Sequence, residues 1–402
     1  MALMPLAKAI EAVLDGAQGL SEEPVALDDA AGRVLARDVA ATRTQPPDDM
    51  SAMDGYAARA ADATPGARLR VIGEGAAGKP FGQSLQAGEA VRIFTGGVIP
   101  AGADAVVIQE DTTRDGDRVV VNEAASLGKN IRRAGIDFRE GETLLKRAHR
   151  LRDRDLALAA AMNHATLPVH RRPSVALLAT GDELVMPGSV PGPGQIVYSN
   201  GYMLRALARH EGARTHDLGI ARDTMEDTRA KVRSAIDSGV DILVTTGGAS
   251  VGDHDLVQEA LVAEGVEMSF WKIAMRPGKP MMHGRRGGLR VLGLPGNPVS
   301  SYVCAILFLV PLIRALSGRT DIAHLFETAT LGRDVPENDQ REDYLRAALS
   351  RDAGGALIAT PVSHQDSSML ANLSRADALI VRPPHAPAAK AGKLCQVLRL
   401  PA

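Results

Sequence analysis

The middle of the chain alternates between short apolar runs and longer amphipathic segments. Val175–Ala179 is a compact apolar run, Tyr202–Arg209 has helical spacing, and Ala213–Ile220 is again extended. Strands that alternate with helices at this spacing predict an α/β domain with a mostly parallel sheet covered on both faces. The pattern further predicts helices at 224–237, 255–263 and 299–316, and strands at 241–246 and 289–294.

The segments on either side have a different texture. Leu6, Ile10 and Val13 recur at helical spacing, so the first forty residues are predicted to be helical, and Leu151–Met162 is a second helical segment. Short runs between Gly, Pro and Asp clusters predict an inserted β-rich module before it and a small barrel or sandwich after residue 319. The predicted domains are 1–43 with 134–170 (helical), 44–133 (inserted, β-rich), 171–318 (α/β) and 319–402 (C-terminal, β-barrel-like).

Composition excludes several classes of function. The net charge is −2, from 46 basic and 48 acidic residues, and aromatic residues make up 3%, so neither a basic surface nor a base-stacking surface for nucleic acid is expected. The apolar run Val303–Ile313 contains Pro311 and is too short to span a bilayer, so it is interpreted as a buried helix. Cys304 and Cys395 form no disulfide framework, which fits a cytoplasmic protein.

Three polar loops follow predicted strands, namely 180–183, 245–255 and 295–298. Ligands of parallel sheets bind outside the carboxyl ends of the strands, so these loops are predicted to line one site. Glycine lets backbone N–H groups approach a ligand closely, which would suit a phosphate or a pterin. The candidates for such contacts are Gly247, Gly248, Ser250 and Gly252.

Charged groups accompany these loops. Carboxylates beside a bound phosphate are the usual setting for Mg²⁺, and the candidates are Asp182, Glu183, Asp253 and Asp255. Pro298 fits a first helical turn after Asn297 as N-cap, and a helix start attracts anions. The cations Lys272, Arg276 and Lys279 can hold an oxyanion. Each feature alone also fits tight turns, surface acids, a bare helix cap or a solvated basic strand, and their convergence favours a site.

Several strings together carry a resemblance to one family. They are PPDDMSAMDGYA (46–57), IFTGG (93–97), GADAVVIQE (102–110), NIRRAGID (130–137), TGDEL (180–184), SNG (199–201), TTGG (245–248), SVGDHD (250–255), RPGKP (276–280), GLPGNPVSS (293–301) and SSML (367–370). In this order the chain resembles the molybdopterin molybdenumtransferase family (MoeA-like, and related to the gephyrin E domain). The resemblance runs from about residue 6 to the end of the chain.

The resemblance implies an elongated four-part subunit that forms a homodimer. Its substrates would be adenylylated molybdopterin and molybdate, its metal cofactor Mg²⁺, and its products molybdenum cofactor and AMP. Its partners would be a molybdopterin adenylyltransferase, which supplies the substrate, and the apo-molybdoenzymes or their chaperones, which receive the product. No nucleic acid and no membrane is implied.

The family's functional positions carry over residue by residue. The catalytic positions are Asp54, Thr95, Asp137, Glu183, Asp223 and Asp255, with Asp182, Glu183 and Asp255 as metal ligands. The substrate-binding positions are Thr180, Gly181, Asp182, Ser199, Asn200, Gly247, Gly248, Ser250, Gly252, Lys272, Arg276, Lys279, Pro295, Gly296, Asn297, Pro298, Arg346 and Ser367. In the implied dimer, the region of Asp54 and Thr95 faces the α/β domain of the other subunit.

The chain also departs from the family pattern. Asp48 and Met50 stand where an aromatic residue and an Asn are usual, and Arg276 stands where a Lys is usual. Arg keeps the charge but changes the geometry of an oxyanion contact. Two other functions remain open from the sequence: a molybdopterin adenylyltransferase, which shares the α/β domain, and a non-catalytic gephyrin-like scaffold.

Overall fold

The computed structural model describes residues 3–247 and 256–401. The chain divides into two compact units. The smaller unit comprises Pro24–Ala31 and Arg37–Pro168, and the larger unit comprises Met1–Glu23, Gly32–Ala36 and Val169–Ala402. The chain passes between the two units four times, and two of these crossings fall within the strands Glu22–Ala26 and Thr166–His170.

A six-stranded sheet forms the body of the smaller unit. Its strands lie in the order Ala105–Ile108, Gly55–Ala58, Glu89–Ile93, Arg68–Gly75, Arg118–Val121 and Thr112–Asp115. Glycine is required at Gly55, because a Cβ there would lie 2.0 Å from the Val107 carbonyl oxygen on the next strand. The predicted β-rich module is therefore confirmed.

Shorter elements complete the smaller unit. The helix Asp153–Ala161 lies within the predicted segment, and the Asp155 carboxylate accepts the Arg152 amide at its start. The remaining elements are the strands Val39–Ala40, Met50–Ser51, Ile131–Arg132 and Thr143–Leu145 and the 3₁₀ turns Leu27–Asp29 and Gln109–Asp111.

The larger unit contains the predicted α/β sheet. Its order is Arg214–Ala221, Ser174–Thr180, Ile242–Thr246, Leu289–Leu294, Pro280–Arg286 and Glu267–Lys272. The first four strands are parallel, which confirms the mostly parallel sheet. Pro280–Arg286 runs antiparallel to both of its neighbours, and neither it nor the edge strand Glu267–Lys272 was predicted. Apolar clusters cover both faces. The first three helices of this domain are Asn200–His210, Met225–Asp237 and Leu256–Ala263.

One continuous helix runs through the core of the larger unit. It comprises an α-helical segment, Pro298–Cys304, a π-helical segment, Ala305–Leu309, and a second α-helical segment, Val310–Leu316. The wider turn precedes Pro311, which has no N–H to donate to the helix ladder. Among the described residues, only this helix is long and apolar enough to cross a membrane, and 89% of its apolar window is buried inside the protein.

The C-terminal residues form a closed barrel. The strand Glu342–Arg351 pairs with Leu357–Pro361 on one side and with Ala378–Arg382 on the other, so that the sheet closes on itself. Of the two forms expected from the sequence, the barrel is therefore correct. Its other elements are the strands Phe326–Leu331 and Leu394–Arg399, the edge strand Met275–Arg276 and the helix Leu370–Ser374.

The start of the chain differs from the expectation. Among the described residues of the first forty, Leu6–Leu14 is the only α-helix, and short strands and the 3₁₀ turn Leu27–Asp29 follow it. Gly16 has φ +63° and ends the helix, and the strand Glu22–Ala26 contains Pro24, which cannot donate within a helix. Leu6, Ala9 and Val13 pack into the core of the larger unit. The four domain boundaries given above remain predictions.

Candidate active site

A cavity of about 660 Å³ opens at the carboxyl ends of the parallel strands of the larger unit. The predicted positions that line it are Thr180, Glu183, Ser199, Asn200, Gly247, Pro295, Gly296, Asn297 and Pro298. The sheet therefore brings the 180–183 and 295–298 loops together with the described start of the 245–255 loop. Gly248, Ser250, Gly252, Asp253 and Asp255 lie outside the described residues.

Close backbone packing shapes the floor of this cavity. Gly247 has φ +91°, and a Cβ on it would lie 2.6 Å from the Thr180 carbonyl oxygen. The Asn200 side chain donates to the Gly296 carbonyl at 2.7 Å, which ties the helix Asn200–His210 to the 295–298 loop. The cavity therefore has fixed backbone walls from three strand ends.

The predicted acids occupy two different positions. Glu183 lines the cavity, and its carboxylate folds over Gly181, where a Cβ would lie 2.2 Å from it. Asp182 and Asp223 bind each other's backbone instead: the Asp223 amide donates to Asp182 Oδ1 at 3.1 Å, and the Asp182 amide donates to Asp223 Oδ2 at 3.2 Å. This reciprocal pair joins the 180–183 loop to the 222–224 loop, outside the cavity lining.

The described acids form no complete metal cluster. Within 3–247 and 256–401, no three His, Cys, Asp or Glu side chains converge in a way that could hold a metal ion. Mg²⁺ commonly takes only one or two carboxylates and completes its shell with water and substrate phosphates. The exposed Glu183 carboxylate in the cavity lining is a hard oxygen donor of this kind and fits that requirement, whereas the exposed Asp182 carboxylate lies outside the lining and accepts the Asp223 amide.

The helix start at Pro298 is partly occupied. Pro298 has no N–H, and the Val299 amide donates to the Ser367 carbonyl at 3.0 Å. The Asn297 side chain donates to the Ser367 hydroxyl at 2.9 Å and makes no capping hydrogen bond. Asn297 is the N-cap residue, as predicted, but its side chain does not cap the helix, because the barrel loop that carries Ser367 takes both groups.

The predicted cations are separated by the fold. Lys272 ends a strand of the α/β sheet, whereas Arg276 lies in the short strand that pairs with the barrel. The Arg276 guanidinium donates to the Asp343 carboxylate and lies 3.8 Å from the Asp339 carboxylate. Lys279 is exposed. The three cations therefore do not lie along one strand, because the chain turns after Lys272 and Arg276 pairs with the barrel.

Arg346 supports the barrel loop beside the cavity. Its side chain is 1% exposed and donates to Gln365 Oε1 at 3.1 Å and to the Asp366 carbonyl at 2.8 Å. Burial lowers the pKa of its guanidinium. Ser367 and Ser368 follow this anchor, and Ser368 lines the cavity.

Asp54 and Thr95 meet in the smaller unit. The Thr95 amide and hydroxyl both donate to Asp54 Oδ1, each at 2.8 Å. These two hydrogen bonds, with a smaller contribution from the Arg92 charge, hold the pKa of the Asp54 carboxyl below its usual range. Asp137, the third predicted position of this unit, is exposed, and its amide donates to the Gln45 carbonyl at 3.2 Å.

Some residues at these places were not predicted from the sequence. Tyr198 and Ser368 line the cavity, and both stand next to a predicted position in a quoted string. Burial, with a smaller contribution from the nearby Asp217 charge, raises the pKa of Tyr198 to about 12. Arg92 lies beside Asp54. In the sequence it could have been noticed only as a charged residue near the end of a largely apolar strand.

Comparison with known proteins gives consistent matches along the chain. The matching family models are the MoeA N-terminal region (domains I and II) at residues 4–163, a probable molybdopterin binding domain at 176–315, and the MoeA C-terminal region (domain IV) at 328–400.

Individual relatives match over most of their length. A molybdopterin molybdenumtransferase of Bacillus subtilis is 34% identical over 98% of this chain and 94% of its own. One of Nostoc sp. is 36% identical over 92% of this chain and 87% of its own. The crystal structure of a molybdopterin biosynthesis MoeA protein from Pyrococcus horikoshii is 32% identical, covers 100% of both chains and has a TM-score of 0.87.

Proposed function

This chain belongs to the molybdopterin molybdenumtransferase family, and we propose that it inserts molybdenum from molybdate into adenylylated molybdopterin. Water cleaves the adenylyl–pterin pyrophosphate bond in the same turnover, and AMP leaves. The product is molybdenum cofactor with the metal on the pterin dithiolene. The enzyme is a transferase of molybdenum cofactor biosynthesis.

One observation carries the proposal. The cavity at the carboxyl ends of the parallel strands combines bare glycine backbone at Gly247 and Gly296 with a carboxylate at Glu183. Backbone amides and a carboxylate in one concave space suit a substrate with two linked phosphates and a bound divalent cation. Its volume of about 660 Å³ lies in the range of cavities that take small organic ligands.

Mg²⁺ is the proposed metal cofactor. Asp182 and Glu183, with Asp255 from the sequence, would hold it, and it would supply positive charge that neutralises the pyrophosphate. The chain's own groups perform the positioning: Gly247 and Gly296 allow close approach of the phosphates, while Asn200 holds the 295–298 loop in place. Lys272 and Lys279 remain the proposed contacts for molybdate.

We also propose the assembly and the cellular setting. Support for a homodimer comes from the family, with Asp54 and Thr95 of one subunit serving the cavity of the other. A molybdopterin adenylyltransferase would deliver the substrate, and apo-molybdoenzymes or their chaperones would accept the cofactor. The proposed compartment is the cytoplasm, in keeping with two free cysteines, Cys304 and Cys395.

The test is a reconstitution with purified components. The protein is incubated with adenylylated molybdopterin, Mg²⁺ and molybdate, and AMP and active cofactor are both assayed. We expect both products in equal amounts, and only when molybdate is present. Adenylylation of metal-free molybdopterin from ATP would instead favour an adenylyltransferase, and peptide binding without pterin binding would favour a scaffold.

Substitution of Glu183 sharpens this test. Glu183→Ala should reduce AMP release by about a hundredfold or more if the carboxylate holds the metal. Glu226→Ala is the matched control, because Glu226 is an exposed acid in the same unit outside the cavity lining. Equal turnover of the two variants would remove Glu183 from the mechanism.

A further inference from the structure

Arg92 stands at the centre of a network that the proposed function does not use. Its guanidinium lies 5.1 Å from the ring centroid of Tyr56 and 4.8 Å from that of Phe94. At these distances cation–π attraction acts between the guanidinium and both rings. Two aromatic contacts therefore fix the orientation of the Arg92 side chain.

The hydrogen bonds of Arg92 lead to the backbone around Asp54. Nη1 donates to the Gly55 carbonyl at 3.2 Å, and Nη2 donates to Gln109 Oε1. The Gln109 amide in turn donates to the Asp54 carbonyl at 2.9 Å. Arg92 thus holds Gly55, which follows Asp54, and Gln109, whose amide binds the Asp54 carbonyl.

Thr95 fixes the side chain of the same residue. Both of its donors, the amide and the hydroxyl, bind Asp54 Oδ1. Within the described part of the chain, the structure shows no hydrogen-bond donor on Oδ2, and Asp54 is exposed. The two oxygens of one carboxylate are therefore in different surroundings.

We propose that Arg92 and Thr95 are positioning residues, which hold Asp54 so that Oδ2 is the oxygen presented to the ligand. The inference rests on the proposed function, in which Asp54 contacts the reacting groups. Oδ1 is occupied by its two donors, whereas Oδ2 is available to a metal cation or to a donor group of the substrate. Thr95 acts through Asp54 and does not itself contact the substrate.

The chemistry of arginine explains why this residue type is needed at position 92. Its planar fork binds two acceptors at fixed angles while its faces stack on rings, and a lysine ammonium does neither. Arg92 is the charged group that acts on Asp54, and Glu74 lies opposite Arg92 in the register of the next strand. Thr95 and Arg92 both favour the charged carboxylate and lower its pKa.

The experiment separates positioning from a general structural role. The full-length variants are Arg92→Lys, Arg92→Gln, Thr95→Val and Thr95→Ser, with Arg70→Gln as the control. Arg70 lies on an adjacent strand of the same sheet and pairs with Glu89 at the surface. The Asp54 carboxyl is titrated by NMR with ¹³C-labelled aspartate and assigned with Asp54→Asn, and kcat and KM are measured across pH.

We expect a loss in kcat without a matching loss of binding. Arg92→Lys and Thr95→Val should each lower kcat about tenfold and leave KM within about twofold. Arg92→Gln and Thr95→Val should raise the Asp54 pKa and move the acid limb of the kcat profile upwards with it. Thr95→Ser, which keeps the hydroxyl, should restore both values, and Arg70→Gln should change neither.

Two results would overturn the inference. One is an Asp54 pKa that stays at the wild-type value in both Arg92→Gln and Thr95→Val. The other is a fall in the kcat of Arg92→Lys that is fully explained by a smaller fraction of folded protein in that variant. The titration needs no turnover, so it still decides the inference if wild-type protein makes no cofactor, a result that would count against the proposed function instead.

Discussion

The guanidinium of Arg276 donates to the carboxylate of Asp343, an acid that is only 3% exposed. The two residues face each other in the register between the strand Met275–Arg276 and the barrel strand Glu342–Arg351. A guanidinium that already pairs with one acid and lies near a second, Asp339, has little net charge left for an oxyanion. In this structure Arg276 links the barrel to the chain that leads into the α/β sheet.

Loss of Arg276 should therefore affect folding. Arg276→Ala leaves the Asp343 carboxylate buried without its partner, so we expect it to lower the free energy of unfolding by about 2–3 kcal/mol. Arg276→Ala combined with Asp343→Ala should cost less than the sum of the two single changes, because the residues are in contact. Urea unfolding followed by circular dichroism measures all three.

Arg68→Ala is the matched control for this prediction. Arg68 pairs with Asp115 at the surface, with both side chains more than half exposed. An exposed pair of this kind contributes about 0–1 kcal/mol. An Arg276→Ala variant no less stable than Arg68→Ala would contradict the linking role.

Gly201 makes room for Tyr198 beside the cavity. A Cβ at Gly201 would lie 1.7 Å from the Tyr198 hydroxyl oxygen and 2.3 Å from the ring carbon that carries it. Gly201→Ala should therefore destabilise the protein by about 1–3 kcal/mol through overpacking, although alanine in a helix usually stabilises. Because Tyr198 lines the cavity, the KM for the pterin substrate should rise as well.

Gly288→Ala provides the comparison, since no atom lies within 4 Å of a Cβ built there. Thermal unfolding of the two variants, with KM measured on each, gives the answer. If Gly201→Ala were more stable than the wild type, as expected at an unobstructed helix position, the close contact between residue 201 and the Tyr198 hydroxyl would be refuted.

The buried thiol of Cys304 should resist alkylation. Burial raises its pKa to about 12, and because the thiolate is the nucleophile, about one part in ten thousand is reactive at pH 8. Cys395 is half-buried, so its thiol should react first with iodoacetamide. In a Cys395→Ser variant, labelling of Cys304 should become fast only in denaturant, and rapid labelling of the native variant would show that the thiol is accessible.

The α/β domain could be predicted from the sequence because its signals are local. Val175–Ala179 is apolar throughout, Leu289–Leu294 is apolar apart from Arg290, and both strands are buried on both faces. The antiparallel strands Glu267–Lys272 and Pro280–Arg286 were harder, because the Pro-Gly pair between them signals only a turn and the edge strand is partly exposed. Barrel closure depends on pairing between distant strands, which periodicity does not specify.

The candidate site shows the same division. Loops that follow strands could be assigned to one edge of the sheet, and the cavity lies there. The partners of individual side chains could not be predicted. Asp343 is far from Arg276 in sequence, and Ser367 is equally far from Asn297, so only the folded chain shows that these polar groups are already paired.

Mixing two inactive variants tests whether one site draws on two subunits. Asp54 lies in the smaller unit and Glu183 in the larger one, and the proposal assigns them to the same site from different chains. Asp54→Ala and Glu183→Ala should each be inactive alone. Unfolding and refolding an equal mixture yields half heterodimers, and each heterodimer has one intact site, so about a quarter of the wild-type activity should return. Light scattering of the mixture must show dimers. Activity that stays at the level of the single variants, in a sample shown to contain heterodimers, would mean that both acids serve a site within one chain.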